Sequence, residues 1–337
     1  MHKLIESLPK TELHLHIEGG SMYPDLALEL SEKNKVPLPF DDLDSAKAYY
    51  AFSSLDHFID ILRTTVATLC TAEDYARCVN LQGAHASQQN IHYHEIMVCP
   101  GLRPEVPFAE IVEGLRVGRE NNLKKYNVET RFIIDIDRTK TADYSFSLVK
   151  EAAYYKERCG LIAIGLDCQE NGFPPGRHQE AFSLARKLGF RLTGHCGEDG
   201  PPAYSWEGLK ECGLERIDHG VRAFEDPKLV QYLAEQKVPL TVCPISNIAL
   251  KVFPTIAQHS ILQLHRAGVC VTINSDDPPM FGCKMTDDFK AVAHFDLPAE
   301  DIIQMARNGF EASFMEPGEK ATALRTFDDF ARKLIGL

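Results

Sequence analysis

Histidine and carboxylate residues occur in four short groups along this chain, and each group lies at or just past the end of an apolar segment. In the first group, one leucine separates two histidines, so both imidazoles share one face if the segment is a strand. Imidazole nitrogen is a preferred zinc ligand, and a catalytic zinc site adds further ligands and a position open to water. The groups therefore predict a metal site with hydrolytic chemistry; they are His14-Leu15-His16, His195 with Glu198, His219, and Asp276-Asp277.

The chain contains a second His-x-His pair, His92 and His94, which serves as an internal control. This pair precedes the apolar core of its segment instead of ending it, so we interpret it as structural or exposed. We expect His14 and His16, in contrast, to bind a metal ion, with His195 and Asp276 completing the ligand set. The other histidines, including His57, His178, His259 and His265, are expected to face solvent or to be hydrogen-bonded.

Eight short, apolar, β-branched segments alternate with amphipathic, helix-like ones. Such alternation predicts parallel βαβ units, and eight of them predict a (β/α)₈ barrel of the TIM type. Barrel enzymes place their chemistry at the carboxyl ends of the strands, which is where the four groups lie. The predicted strands are Glu12–Ile17, His94–Val98, Thr130–Ile136, Leu161–Leu166, Arg191–Thr193, Arg216–Asp218, Pro239–Val242 and Val269–Ile273.

The interval between the first and second predicted strands is long and carries three helical patterns. We interpret it as a helical insertion that stands over the barrel mouth as a lid or pocket wall. Two closing helices are predicted after the eighth strand, and residues 1–337 are predicted to form a single domain. The insertion patterns are Tyr23–Lys33, Leu55–Cys70 and Ala72–Gln89, and the closing helices are Glu300–Phe314 and Thr322–Leu337.

Composition narrows the class of partner. The 337 residues are 44% hydrophobic and 25% charged, which is ordinary for a globular protein with a large core. The net charge of −12 and the lack of a basic run argue against a nucleic-acid partner. Ten cysteines without a C-x-x-C pair indicate reduced thiols, and no segment reads as a signal peptide or membrane span. We therefore expect a cytoplasmic protein with a small-molecule partner.

Four motifs resemble those of the adenosine and adenine deaminase family of metal-dependent amidohydrolases. They are Glu12–Gly19, Gly194–Glu198, Glu215–Val221 and Asn274–Pro278, and the resemblance spans essentially the whole chain. Other segments are most similar to the adenine deaminase-like branch, which takes the free base or a close relative. These segments are Gly165–Asp167, Gly172–Pro175, Gly200–Tyr204 and Leu240–Asn247.

The resemblance implies a role for each residue of the four groups. The expected reaction is adenine plus water to hypoxanthine plus ammonia, with one zinc ion per chain lowering the pKa of a water molecule to about 7 so that hydroxide attacks C6. One ion is expected because the segment Leu161–Asp167 has no lysine, the residue that binuclear amidohydrolases modify there. The resemblance implies His14, His16, His195 and Asp276 as zinc ligands, Glu198 as the acid that protonates purine N1, His219 as the group that assists hydroxide formation, and Asp277 as the partner of N7.

Two further residues bear on which purine enters. Glu18 stands where the adenosine-using branch has an aspartate that contacts the ribose. The glycine that this branch places beside purine N3 is replaced within the segment Asp167-Cys168-Gln169-Glu170, which brings the Glu170 carboxylate to that edge. A carboxylate at the N3/N9 edge would accept the proton that only the free base carries there, so we expect adenine to be preferred. Adenosine, an N6-substituted adenine and aminodeoxyfutalosine stay open as substrates. A non-catalytic zinc- or purine-binding barrel is disfavoured because every implied catalytic residue is present.

Overall fold

The computed structural model describes residues 1–53 and 55–335 and contains eight parallel strands that form a barrel. We number them β1 to β8; the fifth consists of two short segments separated by Thr193 and Gly194. The strands are β1 Lys10–His16, β2 Ile91–Val98, β3 Glu129–Asp137, β4 Leu161–Asp167, β5 Arg191–Leu192 with His195–Cys196, β6 Ile217–His219, β7 Leu240–Val242 and β8 Val271–Ile273. The predicted (β/α)₈ class is confirmed, with boundaries shifted by a few residues.

The break in β5 divides the hydrogen-bonded ladder into two sheets. One runs from β1 to the first segment of β5, and the other runs from the second segment to β8. The barrel is closed by a parallel bridge between Leu15 of β1 and Asp276, which follows β8. In this bridge the Asp276 N–H donates to the carbonyl of His14 at 3.1 Å, and the His16 N–H donates to the carbonyl of Asp276 at 3.3 Å.

Helices surround the barrel, and five of those in the described residues fill the long interval between β1 and β2. Of these five, Glu18–Ser21 and Leu43–Tyr49 were not predicted, and Leu55–Val66 ends four residues before its predicted limit. The closing helices are confirmed, although residues 336 and 337 of the predicted last helix lie outside the described residues. The helices are α1 His2–Ser7, α2 Glu18–Ser21, α3 Pro24–Asn34, α4 Leu43–Tyr49, α5 Leu55–Val66, α6 Ala72–Gln88, α7 Phe108–Tyr126, α8 Ala142–Cys159, α9 Gln179–Lys187, α10 Pro202–Glu207, α11 Pro227–Gln236, α12 Pro244–Ala249, α13 Ile261–Arg266, α14 Pro278–Phe281, α15 Met285–Ala293, α16 Ala299–Ala312 and α17 Pro317–Ile335.

Local sequence explains where several of these helices begin. Thr71 caps α6 by accepting from the Asp74 N–H, and the Asp74 side chain accepts from the Thr71 N–H in return. Proline occupies the first position of α3, where a missing N–H costs nothing. Within the described ranges, no helix has the length and apolar character needed to cross a membrane.

The apolar core has two parts, one between strands and helices and one inside the barrel. Met97, Ile133 and Ala163 stand side by side on β2, β3 and β4 and form a small separate cluster with Phe314. Beneath this layer the Arg216 guanidinium lies 4.1 Å from the Phe314 ring, and its Nη1 forms a fully buried ion pair of 2.7 Å with Glu95. These groups fill the lumen, so a ligand enters from the carboxyl ends of the strands.

Candidate active site

The four predicted groups converge at the carboxyl end of the barrel. His14 and His16 end β1, His195 lies in the second segment of β5, and His219 ends β6. His14, His16 and His195 offer ring nitrogens that lie within 4.8 Å of one another. His219 and Asp276 both have positive φ angles, of 59° and 63°. Such strain in residues other than glycine is concentrated at functional sites.

An irregularity in β1 turns its two histidines into the barrel. Glu12 pairs with His94 of β2, but the register shifts between Glu12 and Leu15, and His16 then pairs with Met97. His94 faces outward, where it contacts Thr130, whereas Met97 belongs to the cluster inside the barrel. Because a one-residue shift exchanges the two faces of a strand, the bulge directs His14 and His16 to the inside.

Hydrogen bonds fix the protonation of two of these imidazoles. His195 Nδ1 lies 2.8 Å from the carbonyl of Leu166, so Nδ1 carries the proton. His14 Nδ1 contacts the hydroxyl of Thr241 at 3.0 Å, and that hydroxyl donates to Asp218 at 2.8 Å, so His14 Nδ1 is also the donor. Both Nε2 atoms are therefore unprotonated, yet they lie only 3.1 Å apart. Two facing lone pairs at this distance fit a cation between them, since nitrogens that share one zinc lie about 3.0–3.4 Å apart.

Asp276 brings a negative charge to the same point. Its Oδ1 lies 3.3 Å from His16 Nε2 and 3.6 Å from His14 Nε2, and Oδ2 accepts from the Ser246 hydroxyl at 2.7 Å. Burial opposes ionisation, but hydrogen bonding to His16 and to the Ser246 hydroxyl lowers the pKa of Asp276 well below its usual range. Three imidazoles and an ionised carboxylate form a donor set that fits zinc.

Glu198 and His219 lie beside this donor set. His219 Nε2 is 3.5 Å from Glu198 Oε1 and 3.7 Å from Asp276 Oδ2. Burial, reinforced by the negative charge of Asp276, raises the pKa of the Glu198 carboxyl well above its usual range. Burial and the neighbouring His14 lower the pKa of His219 well below its usual range. The two shifts therefore favour a carboxylic acid at Glu198, able to donate a proton, and a neutral imidazole at His219.

Glu170 holds the loop that carries Glu198. Its Oε1 accepts from the N–H of Gly197 at 2.6 Å, and Oε2 accepts from the N–H groups of residues 198, 199 and 200 at 3.0, 3.1 and 2.8 Å. A side chain at Gly200 would collide with this carboxylate, because its Cβ would lie 2.5 Å from Glu170 Cδ. Four backbone N–H groups thus bind the oxygens of Glu170, and the expected contact of Glu170 with the purine edge stays a prediction.

The site opens into a cavity whose space between atoms, including open solvent, is about 660 Å³. Phe58, Ile59 and Leu62 of α5 form one wall, as predicted for the helical insertion. The remaining lining residues are His16, Glu18, Leu102, Asp167, Cys168, Gln169, Glu170, His195, Glu198, His219, Leu250, Asp276 and Asp277. The cavity thus combines an apolar wall with a carboxylate-rich floor, which suits a flat, nitrogen-rich molecule.

Three of the lining carboxylates, those of Glu18, Asp277 and Glu198, have a buried oxygen with no hydrogen-bond partner. Glu18 Oε1 accepts from the Cys99 N–H at 2.9 Å while Oε2 is unpartnered, and Asp277 Oδ1 is likewise unpartnered. Burial raises the pKa of Glu18 to about 7 and that of Asp277 well above its usual range. Asp277 packs so closely on Gly19 that a Cβ there would lie 2.2 Å from the carboxyl carbon. Unsatisfied polar atoms aimed into a cavity indicate ligand contacts.

Sequence reasoning missed Asp167, which ends β4 and lines the cavity. Its carboxylate oxygens lie 3.7 Å from His16 Nδ1 and 3.8 Å from His195 Nε2. The rule that polar residues at strand ends face the site would have included it, because Asp167 follows the apolar run of β4 directly. The wall residues of α5 carried no comparable signal, since an apolar residue on a helix is normally part of the core.

The structure is similar to solved deaminase structures. An adenine deaminase from Arthrobacter aurescens superposes with a TM-score of 0.92 at 30% identity, covering 97% of this chain and 100% of the other. An amidohydrolase from Burkholderia ambifaria, solved with bound zinc, superposes with a TM-score of 0.88 over 100% of this chain and 95% of the other. At 24% identity, the second likeness concerns the fold alone.

Sequence comparison agrees over nearly the full length. An adenine deaminase from Wolinella succinogenes is 36% identical over 323 residues, covering 95% of this chain and 97% of the relative. An adenine deaminase from Streptomyces coelicolor is 39% identical over 319 residues, covering 94% and 93%. The family model for adenosine deaminase matches residues 9–330. This chain is therefore a member of the adenosine deaminase family of amidohydrolases.

Proposed function

We propose that this protein hydrolyses adenine to hypoxanthine and ammonia with one zinc ion per chain. The observation that carries the proposal is the position of the buried Glu198 carboxyl, which lies in the cavity 3.5 Å from His219 Nε2 and beside the cluster of His14, His16, His195 and Asp276. Its raised pKa favours the protonated form. The similarity to adenine deaminases over nearly the full chain supports the same reaction. The proposal treats residues 1–337 as a single catalytic domain.

His14, His16, His195 and Asp276 would hold the zinc ion, since the two facing nitrogen lone pairs and the nearby carboxylate suit a cation. When bound, zinc lowers the pKa of a water molecule so that it attacks a carbon centre at neutral pH. The side chains around the ion would supply the proton and orient the base. Glu198 donates its proton to N1 of the purine, which stabilises the loss of aromaticity at C6 and contributes about 10²–10⁴-fold to the rate.

Asp277 and Glu18 would orient the base. A protonated Asp277, favoured by its raised pKa, donates to purine N7 through the carboxyl group whose Oδ1 is unpartnered. With Glu170 committed to the loop, Glu18 Oε2 is the unpartnered acceptor for the N9 proton of a free base. A nucleoside lacks that proton and leaves the acceptor unsatisfied, which costs about 1–3 kcal/mol. Adenine is therefore favoured over adenosine.

A substrate panel tests this proposal. The zinc-loaded protein is assayed for ammonia release from adenine, N6-methyladenine, adenosine and aminodeoxyfutalosine. We expect the highest kcat/KM for adenine, with hypoxanthine as product. A higher kcat/KM for adenosine would contradict the assignment, and absence of turnover on the whole panel would favour a non-catalytic purine-binding protein.

The role of Glu198 is tested with Glu198→Gln, which keeps the size of the side chain but removes the acid. We expect the zinc content to stay at one per chain while kcat falls by about 10²–10⁴-fold. Glu180→Gln, at an exposed position on α9, is the matched control and leaves kcat unchanged. Turnover by folded Glu198→Gln at the wild-type rate would refute the role.

The role of Glu18 is tested with Glu18→Gln. The amide oxygen still accepts from the Cys99 N–H, while the amide N–H₂ faces the N9 proton and repels it. We expect kcat/KM for adenine to fall by about 10–100-fold and that for adenosine to change much less. An equal loss on both substrates would show that Glu18 does not discriminate between them.

A further inference from the structure

Asn247 and His259 form a hydrogen-bonded chain that leads to the back of His219. The Asn247 side-chain nitrogen Nδ2 lies 3.2 Å from His219 Nδ1, and Asn247 Oδ1 lies 3.1 Å from His259 Nε2. The backbone N–H of Ile261 donates to His259 Nδ1 at 3.0 Å. Asn247 is fully buried and His259 is 5% exposed, so water does not compete for these contacts.

The contact between Ile261 and His259 determines the direction of the hydrogen bonds that lead to His219. A backbone N–H can only donate, so His259 Nδ1 must accept from Ile261. Burial lowers the pKa of His259 to about 3, so its ring is neutral and its one proton is on Nε2. Nε2–H therefore donates to Asn247, which must present its oxygen to His259 and its N–H₂ group to His219.

The same logic fixes the proton on His219. The Asn247 N–H₂ group is a donor, so His219 Nδ1 must be an unprotonated acceptor and the ring proton is on Nε2. Turning the Asn247 amide around would require a proton on His259 Nδ1, directly against the Ile261 N–H. Nε2 is the nitrogen that faces the site, 3.5 Å from Glu198 and 3.7 Å from Asp276.

We propose that Asn247 and His259 are positioning residues that hold His219 in its Nε2–H tautomer, so that His219 meets the reacting oxygen as a hydrogen-bond donor. This inference rests on the proposed function, because the reacting oxygen is the oxygen that attacks the purine in that reaction. The tautomer of His219 does not depend on the proposed function. It sharpens the role implied by the family resemblance: His219 orients the attacking oxygen and stabilises negative charge on it, and does not take its proton.

The tautomer is measured directly by NMR of the zinc-loaded protein labelled with ¹⁵N-histidine, in the absence of substrate. Long-range ¹H–¹⁵N correlations distinguish a protonated from an unprotonated Nδ1, and the His219→Gln spectrum identifies the His219 signals. We expect His219 Nδ1 to be unprotonated. A protonated Nδ1 in the wild-type protein would overturn the proposal, whether or not adenine is turned over.

Asn247→Asp reverses the direction of the hydrogen bond to His219 Nδ1 and keeps the size of the side chain. The carboxylate only accepts, so it still receives the His259 proton but now also draws a proton onto His219 Nδ1. We expect a protonated Nδ1 in the spectrum, unchanged zinc content, and a kcat lower by about a hundred-fold with a smaller change in KM. An unchanged His219 signal together with wild-type kcat would refute the positioning role.

His259→Gln is the conservative counterpart. Glutamine accepts from Ile261 through its oxygen and donates to Asn247 through its amide, which preserves the direction, so we expect wild-type tautomer and kcat. If Asn247→Asp does not fold, His259→Glu replaces it, because an ionised glutamate cannot donate to Asn247 and forces the amide to turn. A purely structural role predicts that Gln and Glu at 259 have the same effect, and that result would overturn the proposal.

Discussion

Two His-x-His pairs lie on neighbouring strands of this barrel and have different surroundings. His14 and His16 end β1 and point into the barrel, within reach of His195 and Asp276. On β2, His92 is exposed and contacts Asn90, whereas His94 is buried and contacts the hydroxyl of Thr130 at 2.6 Å. The interpretation of this second pair as structural or exposed is confirmed.

The comparison shows that spacing alone does not make a metal site. Both pairs share one face of a strand, but His92 and His94 occupy the outer face and the first half of β2. The first pair gains the inner face because of the register shift between Glu12 and Leu15, and gains its partners because it lies at the strand end. Face and depth along the strand, together, decide which pair meets other ligands.

The largest expected effect comes from removing one inward histidine. His16→Ala deletes a nitrogen that lies 3.3 Å from Asp276, so we expect zinc content to fall far below one per chain. Activity should fall by more than about a thousand-fold, because the ion supplies several kcal/mol of transition-state stabilisation. Metal analysis and ammonia release measure both effects. Full zinc content in His16→Ala would remove the basis for the comparison.

Removing the ion from the wild-type protein should have a smaller, global effect. The cluster holds facing lone pairs and a buried carboxylate, which repel without a cation. A site loaded at about 100 times its Kd contributes about 2.7 kcal/mol, so chelation should lower the Tm by about 5 °C. Differential scanning calorimetry with and without chelator measures the shift. An identical Tm for zinc-free and zinc-loaded protein would contradict this expectation.

His94 should affect the acid stability of the fold without affecting the metal. Burial lowers its pKa to about 3, so the folded protein keeps it neutral while the unfolded chain protonates it below about pH 6.5. The unfolded state then binds more protons, and stability is lost as the pH falls from 6.5 towards 3. In His94→Gln the free energy of unfolding should fall less steeply, by up to about 1.4 kcal/mol per pH unit. Urea titrations of both proteins at pH 6.5 and 5 give the free energies of unfolding. The same decrease between the two pH values in wild type and His94→Gln would contradict the prediction.

The smallest effect is expected for His92, whose side chain is exposed. His92→Ala should change the free energy of unfolding by less than about 0.5 kcal/mol and leave zinc content and kcat unchanged. Measured beside His16→Ala, it isolates the effect of location from that of residue type. A loss of zinc in His92→Ala would indicate a ligand role that its position does not explain.

The sequence was sufficient for the fold class because parallel barrels alternate strand and helix in a regular order. Strand boundaries were harder to predict where strand pairing is interrupted. The interruption at Thr193 and Gly194 splits β5, and no local sequence pattern indicates it. The register shift in β1 is a second example, since it arises from pairing with β2. Such irregularities depend on contacts between distant segments and not on local preference.

For the site, the sequence identified side chains better than it assigned their contacts. Every group predicted at a strand end lies at the cavity, because strand direction determines that position. Glu170 also lines the cavity, yet its oxygens bind the loop of residues 197–200, which approaches only in three dimensions. His259 was expected to be satisfied and is hydrogen-bonded, but its link to His219 through Asn247 could not be read from spacing.

The bridge between Leu15 and Asp276 has a consequence for the order in which this protein matures. The candidate ligands His14 and His16 leave the ribosome before Asp276, because 276 − 16 = 260 positions separate His16 from Asp276. During the synthesis of that interval the nascent chain has only part of the metal site. Metal loading on these ligands would be a late event, coinciding with the pairing of the first and last strands that closes the barrel.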